Sequence, residues 1–315
     1  MHHKGYPQSS FTNRDIMVNS INIYMSILRV VIKLVGLKPQ RVEIEPGTVV
    51  NIWGPAQSKP NKPSIVFLHG FAANGILTWQ FQVLSLAKNY NIYVPDFLFF
   101  GDSATEKPDR SPVFQAECMV EALRILGVEK CTVVGFSYGG MVGFKMAELY
   151  PDLVEFMVVT CSVMGLTESI TRAALERLGF GSWADLLIPD SVNGVKVCFK
   201  DIASYKLPWM PGFIWEDYFK VMFDYRKEKA ELLEALVVFD KDFYVPQYSH
   251  QRIHIISGEN DQIFTKDVVL KLKEQVGDKG SLRFIAKAGH LVNLERPNVY
   301  NRHLKEVLAS FYHQK

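Results

Sequence analysis

The stretch CTVVGFSYGGMVGFKMAELYP, residues 131–151, sets four glycines around a single serine, Ser137. Its first four residues have strand character, and Met141 to Tyr150 reads as a helix that stops before Pro151. A G-x-S-x-G pattern arises by chance in about one chain in ten of this length, so its weight comes from context. Strand, tight turn and helix are the setting of a nucleophile elbow, in which a strained turn lifts the serine hydroxyl clear of a sheet. Small residues are needed at 135 and 139 because strand and helix backbones nearly touch there. A phosphate loop fits poorly. It would place Lys and then Ser or Thr after the last glycine, where the chain has Met141-Val142, and G-x-G-x-x-G is absent.

Outward from this stretch, RVEIE and TVVNIW flank Glu45-Pro46-Gly47, a hairpin signal. SIVFLH, NIYVPD, EFMVVTCS, RIHIIS and LRFIAK are further short apolar runs, separated in several places by amphipathic helical stretches. Near-continuous apolar strands alternating with helices predict a parallel sheet covered on both faces. The rhythm occupies 41–164 and 251–315. Residues 165–250 interrupt it with helices and loops dense in aromatics, as an inserted cap over the carboxyl ends of the strands would. Most of these aromatics are expected to form the cap's own core. Trp183, Trp209, Phe213 and Trp215, with Phe99 below them, are the residues we expect to line an apolar pocket.

A serine hydroxyl is a weak nucleophile until a base takes its proton, and the base must be oriented by a third group. In the chain order that accompanies a G-x-S-x-G elbow, an acid and then a histidine follow at the ends of later strands. RIHIISGEND offers Asp261 and LRFIAKAGH offers His290 in those places. The loop of IVFLHGF would supply the backbone N–H of Phe71 to an oxyanion, and Tyr138 behind the nucleophile would supply the second. Glu259, Asp240 and Asp242 compete with Asp261 for the role of the acid. His69 is read as a structural residue of the oxyanion loop, His254 as a packed strand residue, and Asp96 and Asp102 as structural.

The segments HGF, GFSYGG, GENDQ and AGHLVNLERP together resemble the α/β-hydrolase superfamily of serine hydrolases, over residues 41–312. The resemblance implies an α/β-hydrolase fold: eight mostly parallel strands flanked by helices, the second antiparallel, with a helical cap inserted after strand 6. It implies Ser137 as nucleophile, Asp261 as orienting acid and His290 as base, and no metal or organic cofactor. PDFLFFGDS, residues 95–103, resembles the loop after the fourth strand in esterases, lipases and C–C hydrolases. Phe99 stands where many members carry glycine, so the pocket floor near Phe99 and Phe100 is expected to be narrow and apolar. An aspartate at 137 would point to an epoxide hydrolase or dehalogenase; serine argues against both. The activity implied is hydrolysis of an ester of a hydrophobic small molecule or lipid. Cleavage of a C–C bond in a vinylogous diketone, and a small-molecule receptor that retains the triad, stay open beside it.

Composition sets the remaining bounds. A formal charge of +2 from 35 basic and 33 acidic residues gives no reason to expect a nucleic-acid partner. The four cysteines form no metal-binding spacing and read as buried, reduced thiols. Residues 1–40 stand apart: 1–15 have the look of a disordered tail, and 16–37 read as one helix. Asn19, Asn22, Ser26, Arg29, Lys33 and Gly36 fall on a narrow polar stripe, and every other face of that helix is apolar. It lacks the uncharged core and cleavage site of a secretory signal, and Arg29 and Lys33 make a membrane span costly. We expect it to pack on the body of a cytoplasmic protein, with peripheral contact to a membrane surface as the alternative. Oligomeric state is left open.

Overall fold

The computed structural model describes residues 19–248 and 251–312; the tail at residues 1–15 lies outside them. Eight long strands run through the centre. They are β1 (Leu37–Glu45), β2 (Thr48–Pro55), β3 (Ser64–Leu68), β4 (Asn91–Pro95), β6 (Cys131–Phe136), β7 (Val154–Thr160), β10 (Arg252–Gly258) and β11 (Gly280–Ile285), in the order β1-β2-β4-β3-β6-β7-β10-β11. The two-residue strand β5 (Ala104–Thr105) pairs with the edge of β2. β2 is antiparallel to both long neighbours and every other long pairing is parallel. This is the α/β-hydrolase sheet that the resemblance implied. β1 begins at Leu37 rather than at 41, and Pro39 is tolerated because β1 is an edge strand.

β4 and β6 are buried at every residue, since helices cover both faces. Helices α2 (Gly75–Leu86), α3 (Pro112–Ile125), α4 (Tyr138–Leu149), α10 (Lys266–Val276), α11 (Val292–Glu295) and α12 (Pro297–Tyr312) connect or follow the strands. After β7, the sixth long strand, the chain leaves the sheet. It forms the short pair β8 (Leu166–Thr167) and β9 (Val237–Val238), helices α5 (Glu168–Leu178), α6 (Trp183–Leu187), α7 (Val192–Lys196), α8 (Gly212–Met222) and α9 (Arg226–Leu236), and a π-helical turn at Val197–Ile202. All four cysteines are buried and free.

The N-terminal helix α1 (Ser20–Leu34) packs on the body. Asn19 caps it by accepting from the N–H groups of Ile21 and Asn22. Met25, Leu28 and Ile32 are buried, and the helix lies against α2, α8 and β1. Its first turn is tied to the cap: Asp217 of α8 accepts from the Ser20 N–H at 2.8 Å and hydroxyl at 2.7 Å. These bonds hold the Asp217 carboxyl below the usual carboxylate range. No helix among the described residues is long and apolar enough to cross a membrane.

Candidate active site

Ser137 sits between β6 and α4 with φ 52° and ψ −118°, a conformation that costs a non-glycine residue on the order of 1–3 kcal/mol. The surroundings hold it there. Its N–H donates to Thr160 O at 2.9 Å, its carbonyl accepts from the Ser162 hydroxyl at 2.7 Å, and the Gly140 N–H turns back to it at 2.9 Å. Thr160 is anchored in turn by a 2.6 Å hydroxyl pair with Tyr300. The glycines of the motif have a direct steric reason. A Cβ on Gly135 would lie 2.5 Å from Gly139 O, and one on Gly139 would lie 2.4 Å from Leu68 O.

From this turn a continuous chain of hydrogen bonds leads inward. Ser137 Oγ is 2.9 Å from His290 Nε2, and His290 Nδ1 is 2.9 Å from Asp261 Oδ2. Asp261 Oδ1 accepts from the Ile263 N–H at 2.8 Å and the Phe264 N–H at 3.0 Å. Both carboxylate oxygens are therefore engaged, and the backbone dictates which of them faces the imidazole. His290 and Asp261 are buried. Asp261 rather than Glu259, Asp240 or Asp242 meets the histidine; Asp240 lies at the cap surface, bonded to Ser169 at 2.7 Å.

The loop carrying His290 is clamped by a residue that residue patterns left unassigned. Glu295 accepts from the Gly289 N–H at 2.7 Å and from the cap's Lys206 N–H at 2.8 Å. The Leu291 N–H donates to Ala203 O at 3.0 Å, a second tie between this loop and the cap. The Glu within AGHLVNLERP was the available signal, but its partner at 206 lies far off in sequence.

Phe71 and Tyr138 come together where α4 abuts the end of β3, their rings edge to face at 5.6 Å. The Tyr138 N–H is at the first position of α4, where no intrahelical acceptor exists and the helix dipole favours negative charge. His69 shapes the adjoining loop as a neutral ring. Nδ1 lies 2.7 Å from Gly70 O, Nε2 accepts from the Phe97 N–H at 3.0 Å, and burial lowers its pKa to about 4. Three residues on, Ala72 takes a left-handed φ of 67°, and its carbonyl accepts from the Tyr218 hydroxyl of α8 at 2.7 Å.

Between Ser137 and the cap lies a chamber of about 30 Å³, room for roughly one water. Trp183 and Leu187 of α6 and Leu233 and Leu236 of α9 form its roof, and apart from Ser137 and His290 its walls are apolar or aromatic. Two larger cavities share its walls. One, of about 130 Å³, shares Met141, Leu166 and Leu236. The other, of about 210 Å³, shares Phe71 and also touches Phe136 and Leu291, the neighbours of Ser137 and His290. Of the aromatics expected at a pocket, Trp183 lines the central chamber and Trp215 the 210 Å³ cavity.

The other three are placed differently. Phe99 is buried but lines none of these cavities. Its left-handed φ of 72° turns the ring beneath Arg110, at 4.5 Å, and Tyr225. Phe100 takes the place beside the site, against His69 and Phe71. Trp209, 86% exposed, and Phe213, 55% exposed, lie on the outer surface of the cap. Composition cannot tell an aromatic on the outside of a lid from one beneath it. Lys229 was also missed: it is buried in the cap over the Phe100 ring, bonded to Asp224 at 2.6 Å and Met222 O at 3.1 Å.

Cys161, Asp261 and His290 are close enough together to suggest a metal centre. The donor set does not fit one. Both Asp261 oxygens and both His290 nitrogens are already hydrogen-bonded, and burial, then the Asp261 charge, push the Cys161 thiol well up, which keeps it protonated.

A family model described as alpha/beta hydrolase fold matches residues 63–183. An uncharacterized protein of Mycobacterium bovis is 30% identical over 138 residues, which are 43% of this chain and 40% of the relative's length. Epoxide hydrolase 4 of Homo sapiens is 27% identical over 108 residues, 33% of this chain and 29% of that one. Among solved structures, a 2-hydroxy-6-oxo-6-phenylhexa-2,4-dienoate hydrolase from Rhodococcus sp. strain RHA1 superposes with a TM-score of 0.71 at 20% identity, covering 88% of this chain and 99% of the other. The strand order, the elbow and these matches show that the chain has the α/β-hydrolase fold. The chain's matches thus span less than half the length of these curated relatives, and proteins named for different bond cleavages share its fold.

Proposed function

We propose that this protein is a serine hydrolase that cleaves an ester of a hydrophobic small molecule or lipid through an acyl-enzyme. The observation that carries the reading is the unbroken Ser137–His290–Asp261 chain, with both links at 2.9 Å, beneath an apolar cap. His290 takes the Ser137 proton as Oγ attacks the ester carbonyl, and Asp261 stabilises the imidazolium that forms. The N–H groups of Phe71 and Tyr138 hold the oxyanion, at about 3 kcal/mol for a donor of this kind. Collapse expels the alcohol, which leaves with the proton from His290. A water then attacks the acyl carbon with His290 as base and releases the acid.

Two features favour a neutral, apolar ester. The central chamber has no cationic side chain, which a dienoate or other carboxylate substrate would call for. Apolar space adjoins it on the side of the 210 Å³ cavity, enough for an acyl chain, whereas the 130 Å³ cavity on its other side has Lys145, Glu148 and Asp242 in its lining. No cofactor enters the scheme.

The test is a panel of p-nitrophenyl esters from acetate to decanoate, with wild type and Ser137→Ala compared at equal fold by circular dichroism. Wild type should turn over the panel, and kcat in the variant should fall by at least about 10⁴. A folded Ser137→Ala that keeps wild-type turnover refutes the reading.

A further inference from the structure

The helix that packs on the body through Met25, Leu28 and Ile32 is apolar on its opposite side as well. Ile23, Ile27, Val30 and Leu34 recur at helical spacing and are all exposed, Leu34 at 80%. The exposed patch does not end with α1. Tyr24 is hydrogen-bonded to Gln80 of α2, whose neighbours Phe81 and Leu84 are exposed. At the other end, Ser20 is bonded to Asp217, and Phe213 lies one turn before Asp217 on the same face of α8. Trp209 stands just ahead of it. One surface built from three elements thus presents eight large apolar side chains to solvent, more than scattered exposure accounts for.

Its charge is of one kind along α1. Between residues 19 and 42 the chain carries Arg29, Lys33, Lys38 and Arg41, with no Asp or Glu. Arg29 and Lys33 are exposed along one flank of the apolar stripe. On α8, Lys220 continues the line of Phe213 and Asp217; the acids there are Glu216 and Asp217, the latter bonded to Ser20. An outward apolar stripe edged by cations, on a helix lying flat against a folded body, is how a protein rests in the interface of an anionic bilayer.

Beneath this face lies the 210 Å³ apolar cavity. Ile21, Met210 and Ile214 line it, and their chain neighbours Trp209, Phe213 and Ile23 are among the exposed residues. Its inner wall is Phe71, Phe136 and Leu291, beside Ser137 and His290.

We propose that the face formed by α1, the outer side of α2 and the start of α8 docks on an anionic phospholipid bilayer, with the cavity beneath it leading an acyl chain from the membrane toward Ser137. The docking face stands on its own; the route to Ser137 rests on the hydrolytic reading above.

The test is flotation of the full chain with vesicles of phosphatidylcholine alone and with one fifth phosphatidylserine, at low and high salt. Wild type, Ile27→Glu/Leu34→Glu and Arg29→Glu/Lys33→Glu are compared, with size-exclusion chromatography and turnover of a short soluble ester measured alongside. All four substituted residues are exposed, so fold and short-ester turnover should be unchanged. Wild type should float with the anionic vesicles and be released by salt. The apolar pair should lose more than about tenfold in partitioning, and the charge pair about 25-fold on anionic vesicles, about fivefold per cation removed. Wild type left unbound by both vesicle types overturns the proposal. So does undiminished binding by Ile27→Glu/Leu34→Glu, or a wild-type dimer that this variant turns into a monomer, which would make the face a contact between copies. Absence of short-ester turnover in a wild type that floats would refute the hydrolytic reading and leave the docking face in place.

Discussion

Replacing Asp261 by Asn tests the orienting acid with almost no change of shape. Oδ1 is held by the N–H groups of Ile263 and Phe264, at 2.8 and 3.0 Å, and only an acceptor can occupy that position. The asparagine carbonyl must therefore take the Oδ1 site, and its NH₂ must face His290 Nδ1 at the 2.9 Å position. An amide N–H there demands an unprotonated Nδ1, which moves the ring proton to Nε2, facing Ser137. In that tautomer the imidazole donates to the serine and cannot accept its proton. The corresponding exchange in a serine protease lowers kcat about 10⁴-fold, equivalent to about 5.5 kcal/mol of barrier. The same order is expected here, with circular dichroism and urea midpoint close to wild type. The assay is steady-state turnover of a soluble p-nitrophenyl ester near neutral pH, beside Asp261→Ala, which leaves two backbone N–H groups without their acceptor and should unfold more easily. A folded Asp261→Asn enzyme within tenfold of wild-type kcat would show that the carboxylate does not set the tautomer.

Acid stability offers a second measurement. Burial lowers both His69 and His254 to about 4, so as pH falls from about 6.5 toward 4 the unfolded chain binds two protons that the folded chain refuses, and stability is lost. Asp96, raised to about 6 by burial, acts in the opposite direction, because the folded state keeps a proton there that the unfolded state releases. Together these three groups leave one proton, about 1.4 kcal/mol lost per pH unit between about 6 and 4. Removing one histidine, in His254→Gln, should flatten the slope of urea-derived stability against pH by that amount; parallel slopes for the two proteins would contradict the buried, neutral assignment. Truncating the roof by Trp183→Ala should enlarge the central chamber and raise kcat/KM for decanoate over acetate by at least about fivefold, read on the same ester panel; an unchanged ratio would mean that α6 does not limit the acyl group.

Much of this arrangement was legible in the residues, for identifiable reasons. The elbow could be read because strand, glycine spacing and helix are all local. Asp261 and His290 could be placed because each closes a short β-branched run, so their chain order carried three-dimensional information. What could not be read depends on partners distant in sequence. Glu295 clamps the His290 loop through Lys206, 89 residues away, and Ser162 holds the elbow through a carbonyl that no side-chain pattern reveals. The cap was the least legible part. Trp183 and Trp209 lie in the same aromatic-rich stretch, yet one roofs the central chamber and the other faces solvent. Phe99 was misplaced because a left-handed backbone turn reverses the side a ring faces, and sequence periodicity assumes no such turn. The N-terminal helix has apolar residues nearly all round, so its pattern did not single out the face that packs.

One bond ties the cap to the loop ahead of α2. The Tyr218 hydroxyl donates to Ala72 O, one residue beyond Phe71, and Ala72 is held in a left-handed conformation. Any displacement of α8 from the body would break this bond, and the loop would lose the contact that steadies its shape. A single hydroxyl thus couples the position of α8 to the backbone beside Ser137.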